Sequence, residues 1–413
     1  MSIPSEYVAG VTEFATAAGS DGALQAGIKW GGSYGSGAVV TFSFPKGGDT
    51  YFIPNYFDHE PDRWYPLTEP ERDAVRTALK EWASVANIVF TEVDDGGSVV
   101  GNLRFAVTDE AGNESAHAYY PGDYDEGGDV WFKNGEWHTK PGTAVKLGSY
   151  DYLTVLHEIG HAIGLKHPFE GPNKIEKAYD SYAYTIMSYS ATPGSNSNYA
   201  SFYPTTPMYY DLVAIQGMYG RGVHNAGTST YKYKDGKAYW QTIDDSGGTD
   251  TIVHKGSANA VIDLNIGHWS KLGQKIKFDG GSTKWTVAIG PNTVIENATG
   301  GSGKDKLIGN GAANLLAGGE GRDKLIGGAG GDHFLFNAKL SAKNADVIKD
   351  FVSGVDVVHL ARNVVKALDA GVVTAEEFAA HLSYDDGVLA YHGKTIARLK
   401  GAPVFDEQDL LVV

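Results

Sequence analysis

The chain has 413 residues, no cysteine, and 34 Lys and Arg against 50 Asp and Glu, a net charge of −16. The missing cysteines exclude disulfides, thiolate metal ligands and a cysteine nucleophile. The acidic balance argues against a nucleic-acid partner, which needs clustered cations, and no run approaches the roughly 18 apolar residues of a membrane span, so no stable membrane insertion is expected.

The length predicts two or three domains with ample core. Met1–Tyr7 shows no basic segment followed by an apolar run, so no Sec-type leader is expected. Residues 1–38 are rich in Gly, Ala and Ser and weakly patterned; they form an N-terminal segment, in part a candidate propeptide. Val39–Phe44 reads as a strand stopped by Pro45. Thr68-Glu69-Pro70-Glu71 is a capping box with proline just inside the helix start. The helix that follows places Val75, Ala78, Leu79, Trp82 and Ala83 on one side. Ile88–Val93 and Leu103–Val107 are predicted strands, Ala116–Pro121 a short edge strand ended by its proline, and Val130–Phe132 another strand.

A helix is predicted from Tyr150 to Gly164, and it carries His157-Glu158-Ile159-Gly160-His161-Ala162-Ile163-Gly164-Leu165-Lys166-His167-Pro168. Positions i and i+4 share a helix face, so His157 and His161 can grip one metal ion. Glu158 sits one residue round, beside the metal without being needed as a ligand. Gly164 can end the helix in a left-handed conformation and bring His167 in as a third ligand. Three imidazoles leave a zinc ion with an open position, the arrangement of a catalytic site.

Asp211–Tyr219 is a further predicted helix, ending at Gly220. Helical periodicity then nearly disappears, and short β-like runs separated by Gly, Asn and Asp take over. The boundary is placed at about 221, giving domains of 39–221 and 222–413. A nine-residue repeat begins at Gly300: units start at Gly300, Gly309, Gly318 and Gly327, the second worn by Ala312 and Asn314. This is the G-G-x-G-x-D-x-U-x pattern of a calcium-binding parallel β-roll. Gly300, Gly303, Gly318, Gly321, Gly327 and Gly330 form the turns, and Asp305, Asn314, Asp323 and Asp332 close the cation cages. Leu307, Leu316, Leu325 and Phe334 point inward. Asp346, Asp350 and Asp356 are either further ligands or exposed turn residues.

With Pro168 after the third histidine, the chain resembles the serralysins, secreted metalloproteases of the metzincin clan. Thr185-Ile186-Met187-Ser188-Tyr189 looks like their Met-turn and Asp211–Gly220 like the closing helix of their protease domain. Gly247–Thr251 and Ile295–Ala298 resemble the entry to their β-roll, which adds Asp250 to the candidate calcium ligands. The resemblance implies an α+β fold: a protease domain with a twisted, mostly parallel sheet and active-site helices, followed by an all-β parallel β-roll. It implies His157, His161 and His167 as ligands of one catalytic Zn2+, Glu158 as general base, and Met187 as the floor beneath the metal. Tyr189 would be an additional ligand that swings off to stabilise the oxyanion, and several structural Ca2+ ions would bind the roll.

Substrate would lie extended along the edge strand, on Ala116 and Ala118. Asp409-Leu410-Leu411-Val412-Val413 resembles the terminal signal of bacterial type I secretion and, equally, a last strand of the roll. The expected partners are peptide and protein substrates, with a proteinaceous inhibitor as a further candidate, and the expected state is a secreted monomer. Two departures from the family stand out: a short span from His167 to Met187, and a short nonapeptide array. The competing reading is a catalytically inactive, calcium-dependent binding or adhesion module; the intact set of histidines, Glu158 and Tyr189 argues against it.

Overall fold

The computed structural model describes residues 10–413 apart from 14, 15, 17–21, 49, 54, 55, 57, 97–99, 111, 113 and 139. The leader expectation at Met1–Tyr7 lies outside these residues, as does part of the candidate propeptide. The chain forms two compact units. One runs through His224 and includes Trp240–Thr242 and Lys277–Ser282; the other holds Asn225–Tyr239, Ile243–Ile276 and Thr283–Val413. Among the described residues no helix is long and apolar enough to cross a membrane.

The first unit is built on a six-stranded sheet. Strands Ile88–Glu92, Ala38–Ser43, Leu103–Thr108 and Val130–Lys133 lie in that order and run parallel. Ala116–Ala118 pairs antiparallel with the last of them and forms the sheet edge. Helix α1, Glu69–Val85, starts where the capping box predicts: Thr68 N donates to Glu71 Oε2 at 2.7 Å. It buries Val75, Ala78, Leu79 and Trp82, whereas Ala83 is only half-buried and Val85 takes a core position instead. Helix α2, Tyr150–Ala162, is capped by Ser149, whose Oγ accepts from Tyr152 N. Helix α3, Tyr209–Tyr219, begins two residues before the sequence pattern suggested.

Two tryptophans fix α2 in this unit. Trp82 donates its indole N–H to the Leu156 carbonyl at 3.1 Å, and Trp30 donates to the Ala162 carbonyl at 2.8 Å. Both rings are fully buried, and truncating such a side chain typically costs about 3–5 kcal/mol. Trp30 lies in the N-terminal segment that reads as weakly patterned. Its described part is an integral piece of the unit, with Ala23 and Leu24 also buried. The pattern is weak there because the contacts are long-range rather than periodic.

The second unit is a roll of two facing sheets, parallel through the coils and edged by antiparallel strands. One contains Thr251–Lys255, Asn297–Thr299, Leu315–Ala317, His333–Phe336, Val357–Leu360 and Leu410–Val412. The other contains Val261–Asp263, Lys306–Ile308, Lys324–Ile326, Asp346–Ile348 and Lys394–Leu399. Successive nonapeptides alternate between the sheets, so two repeats make one coil. In register, Leu307 lies beside Leu325 and Leu316 beside Phe334, and all four are fully buried.

The coils continue on both sides of the four nonapeptides without the glycine motif. The unit is also not purely β: a short helix, Ala375–His381, is nucleated by its own box, with Glu377 N donating to Thr374 Oγ1. Leu410–Val412 is a strand, paired with Val357–Leu360, with Leu410 and Val412 buried.

Candidate metal centre and active site

The three histidines of the motif converge. Their Nε2 atoms lie 3.1 Å (His157–His161), 3.0 Å (His161–His167) and 3.3 Å (His157–His167) apart. Among the described residues this is the one group of three His, Asp or Glu side chains whose ligand atoms all fall within 4.8 Å. The opposite ring nitrogens set the tautomers. His157 Nδ1 donates to the Ile186 carbonyl at 2.8 Å and His161 Nδ1 to the Leu165 carbonyl at 2.7 Å, while His167 Nδ1 meets Glu170 Oε1 at 2.6 Å. A carbonyl only accepts, so the first two rings carry their proton on Nδ1 and turn a lone pair inward.

Burial, and then the neighbouring imidazoles, holds His157 down to about 3 and His161 well below its ordinary value, so both stay neutral. Tetrahedral ligands at Zn–N distances of 2.0–2.1 Å would stand about 3.3 Å apart. The donor set, its tautomers and its spacing therefore fit zinc.

The chain reaches this geometry through Gly164. Its φ of +103° lets the backbone turn after α2, with Gly164 N donating to the His161 carbonyl and Leu165 N to the Gly160 carbonyl. A side chain here would strike the Ile28 carbonyl at 2.3 Å. Pro168 follows, buried, its carbonyl accepting from Ile175 N. Lys166 donates to the Glu170 and Asn173 carbonyls and so orders the loop that presents Glu170 to His167.

Glu158 is buried, and its Oε2 has no hydrogen-bond partner. Burial first, and the charge of Glu114 second, pushes its carboxyl up to about 8. It lines a cavity of about 560 Å³ together with His157, Tyr150, Thr154, Tyr189 and Ala116. Tyr189 is half-exposed, its ring 4.5 Å from that of His167 and 5.7 Å from that of His157. Burial raises its phenol, so it stays protonated at neutral pH.

Met187 is fully buried beneath α2. A Cβ on Gly160 would lie 2.7 Å from Met187 Sδ, which accounts for the glycine inside the motif.

The turn that carries Met187 is held by Asp211, for which the sequence suggested only a helix start. Thr185 Oγ1 donates to Asp211 Oδ1 at 2.6 Å; Ile186 N and Met208 N donate to Oδ2 at 2.8 Å each. Ile186 is also the residue whose carbonyl orients His157. Asp211→Ala leaves three buried donors without an acceptor. It is expected to lower stability by about 3 kcal/mol or more, and to weaken zinc binding; denaturant titration and a zinc competition assay measure the two effects.

In the second unit the predicted calcium carboxylates are all buried. Asp305 Oδ1 accepts from Ala260 N, Asp323 Oδ1 from Asp305 N and Asp346 Oδ1 from Asp323 N. On the other side of the roll, Asn314 Oδ1 accepts from Asn310 N, Asp332 Oδ1 from Asn314 N and Asp356 Oδ1 from Asp332 N. Asp346 and Asp356 are thus ladder members and not exposed turn residues. Gly321 and Gly330 take φ of +121° and +117°, while Gly300, Gly303, Gly318 and Gly327 turn the chain with negative or extended φ.

The buried oxygens Asp323 Oδ2 and Asp250 Oδ2 have no donor. Burial, followed by the charge of neighbouring carboxylates, raises Asp323 to about 8 and Asp250 and Asp332 to about 6; burial raises Asp346 to about 7. Buried, crowded carboxylates with orphaned oxygens fit a hard cation bound by oxygen ligands.

Comparison with known proteins agrees with this anatomy. A family model described as Matrixin matches residues 56–185, and one described as Peptidase M10 serralysin C terminal matches residues 224–392. A metallopeptidase AprA of Pseudomonas marginalis is 33% identical over 77% of this chain and 72% of its own length. The chain belongs to the serralysin family. A second relative of the family, a serralysin of Proteus mirabilis, is 33% identical over 70% of this chain. Serralysin C of Dickeya chrysanthemi is 33% identical over 68%. The chain spans 63% and 61% of the lengths of these last two serralysins.

Proposed function

We propose that the chain is a secreted zinc endopeptidase acting on protein substrates, with the protease portion at 39–221 and a calcium-stabilised roll at 222–413. The observation that carries this reading is the convergence of three imidazole Nε2 atoms beside a buried carboxylate that lines an open cavity. His157, His161 and His167 would hold a zinc ion, which when bound would supply Lewis acidity toward a carbonyl and toward water.

Glu158, beside the ligands but not among them, takes the proton from the attacking water and returns it to the departing amine. Tyr189 would help to hold the ion, and its phenol would donate a hydrogen bond to the oxyanion. Its protonation at neutral pH supports the second role. Ala116 and Ala118 receive the substrate as an added strand, supported by their place on the sheet edge. Calcium at Asp250, Asp305, Asn314, Asp323 and Asp332, with Gly300, Gly303, Gly318, Gly321, Gly327 and Gly330 turning the chain, stabilises the roll. Export by the type I route is part of the same proposal. The protein acts as a monomer on peptide and protein substrates, with a proteinaceous inhibitor as a candidate partner.

The direct test is hydrolysis of casein and of a quenched fluorescent peptide by the zinc-loaded protein. A zinc chelator is expected to stop both, and added zinc to restore them. Zinc-replete protein with no chelator-sensitive cleavage would overturn the assignment.

A further inference from the structure

We infer that Glu60 is a positioning residue for substrate, a buried carboxylate that clamps the edge strand Ala116–Ala118 from behind. The inference rests on the proposed addition of the substrate to that edge.

The backbone pattern shows which groups of the strand are free to pair. Lys133 N donates to the Ser115 carbonyl and Tyr119 N to the Asp129 carbonyl, with His117 opposite Trp131. Residues 115, 117 and 119 therefore direct their polar groups inward, and the alternation of an antiparallel ladder sends those of Ala116 and Ala118 outward. Side chains alternate too. Ala116 faces the cavity that Glu158 lines, so His117 and Tyr119 project from the opposite face.

Both of those side chains end on one oxygen. His117 Nε2 lies 2.6 Å from Glu60 Oε1, and Tyr119 OH donates to the same atom at 2.7 Å. Glu60 is fully buried, and its Oε2 has no hydrogen-bond partner. Its backbone is fixed as well: it opens the turn Glu60–Arg63, entered from His59 at φ 62°, and Thr108 Oγ1 donates to its carbonyl at 2.8 Å from the central strand. Two residues at i and i+2 tied to one immobile atom fix the rotation of a three-residue strand about its own axis. That rotation decides where the free N–H and C=O groups of Ala116 and Ala118 point. A buried carboxylate is a costly filler for a space an apolar side chain could occupy, and its geometry here specifies the strand.

The test compares an extended peptide, which uses the edge, with a blocked dipeptide, which does not, on zinc-loaded full-length protein. Glu60→Ala is expected to raise KM for the extended peptide about tenfold, with kcat little changed and the dipeptide unaffected. Glu60→Gln keeps an acceptor at Oε1 and should restore most of the loss. Tyr119→Phe, which removes one hydroxyl and keeps the ring, carries the test if Glu60→Ala does not fold, and should show the same split at smaller size. Equal losses on both substrates in folded, zinc-replete variants, or an unchanged KM for the extended peptide in Tyr119→Phe, would overturn the inference. Wild-type protein that cleaves neither substrate would instead overturn the proteolytic reading beneath it.

Discussion

Glu158→Gln is expected to lower kcat by about 10²- to 10⁴-fold, the usual contribution of a general base, while zinc stays bound at full stoichiometry. The two halves of this expectation come from separate observations. The metal set is complete without the carboxylate, because the three Nε2 atoms already face one another at ligand spacing. The carboxylate itself is buried and holds an unpartnered oxygen in the cavity, where no other described carboxylate is buried. Glutamine keeps the volume and the polarity and removes the basic site. Because burial opposes charge at this position, the variant should fold at least as well as the parent. Loss of activity with retained zinc and an unchanged melting temperature is therefore the expected outcome. A variant keeping a tenth of the parent activity would show that another group takes the proton.

The second large effect concerns calcium. Chelation is expected to lower the melting temperature of the unit that holds the nonapeptides and to reverse the way its stability depends on pH. In the metal-free fold, Asp250, Asp323, Asp332 and Asp346 have carboxyls raised to between about 6 and about 8. A carboxyl whose folded pKa lies above its unfolded value binds more protons folded than unfolded. Its stabilising contribution is complete below the unfolded value near 4 and is lost as pH rises through the folded one. The metal-free unit should thus melt at a lower temperature at pH 8 than at pH 5.

Calcium binds the ionised carboxylates, so it competes with protons and stabilises most at the higher pH. Each site contributes about 2.7 kcal/mol at a hundredfold excess over its Kd. Thermal melts followed by circular dichroism at the two pH values, with and without calcium, give the four numbers needed. A melting temperature indifferent to chelation at pH 8 would remove calcium from the account.

Much of the site was legible because it is local. The ligand pair His157 and His161 needs only the helical period. Gly164 needs only a turn, and the box at Thr68 reaches only three residues along the chain. The buried Leu307, Leu316, Leu325 and Phe334 follow from a period of nine. What escaped depends on partners distant in sequence. Asp211 reaches back to the Met-turn, Glu60 reaches forward to His117 and Tyr119, and Trp30 caps α2 from a segment with no visible pattern. The roll was legible as far as its glycines, and the coils at Asp346–Ile348 and Val357–Leu360 carry on by register alone.

The anchors of the three ligand rings have a further consequence. His157 is tied to the Ile186 carbonyl and His167 to Glu170, so a bound metal joins α2 to both ends of the connection between them. Residues 171–180 in that connection form no helix or strand and are largely exposed apart from Ile175. Removing the ion takes away one of these links, leaves the His157–Ile186 bond in place, and lowers the free energy needed to open the stretch locally.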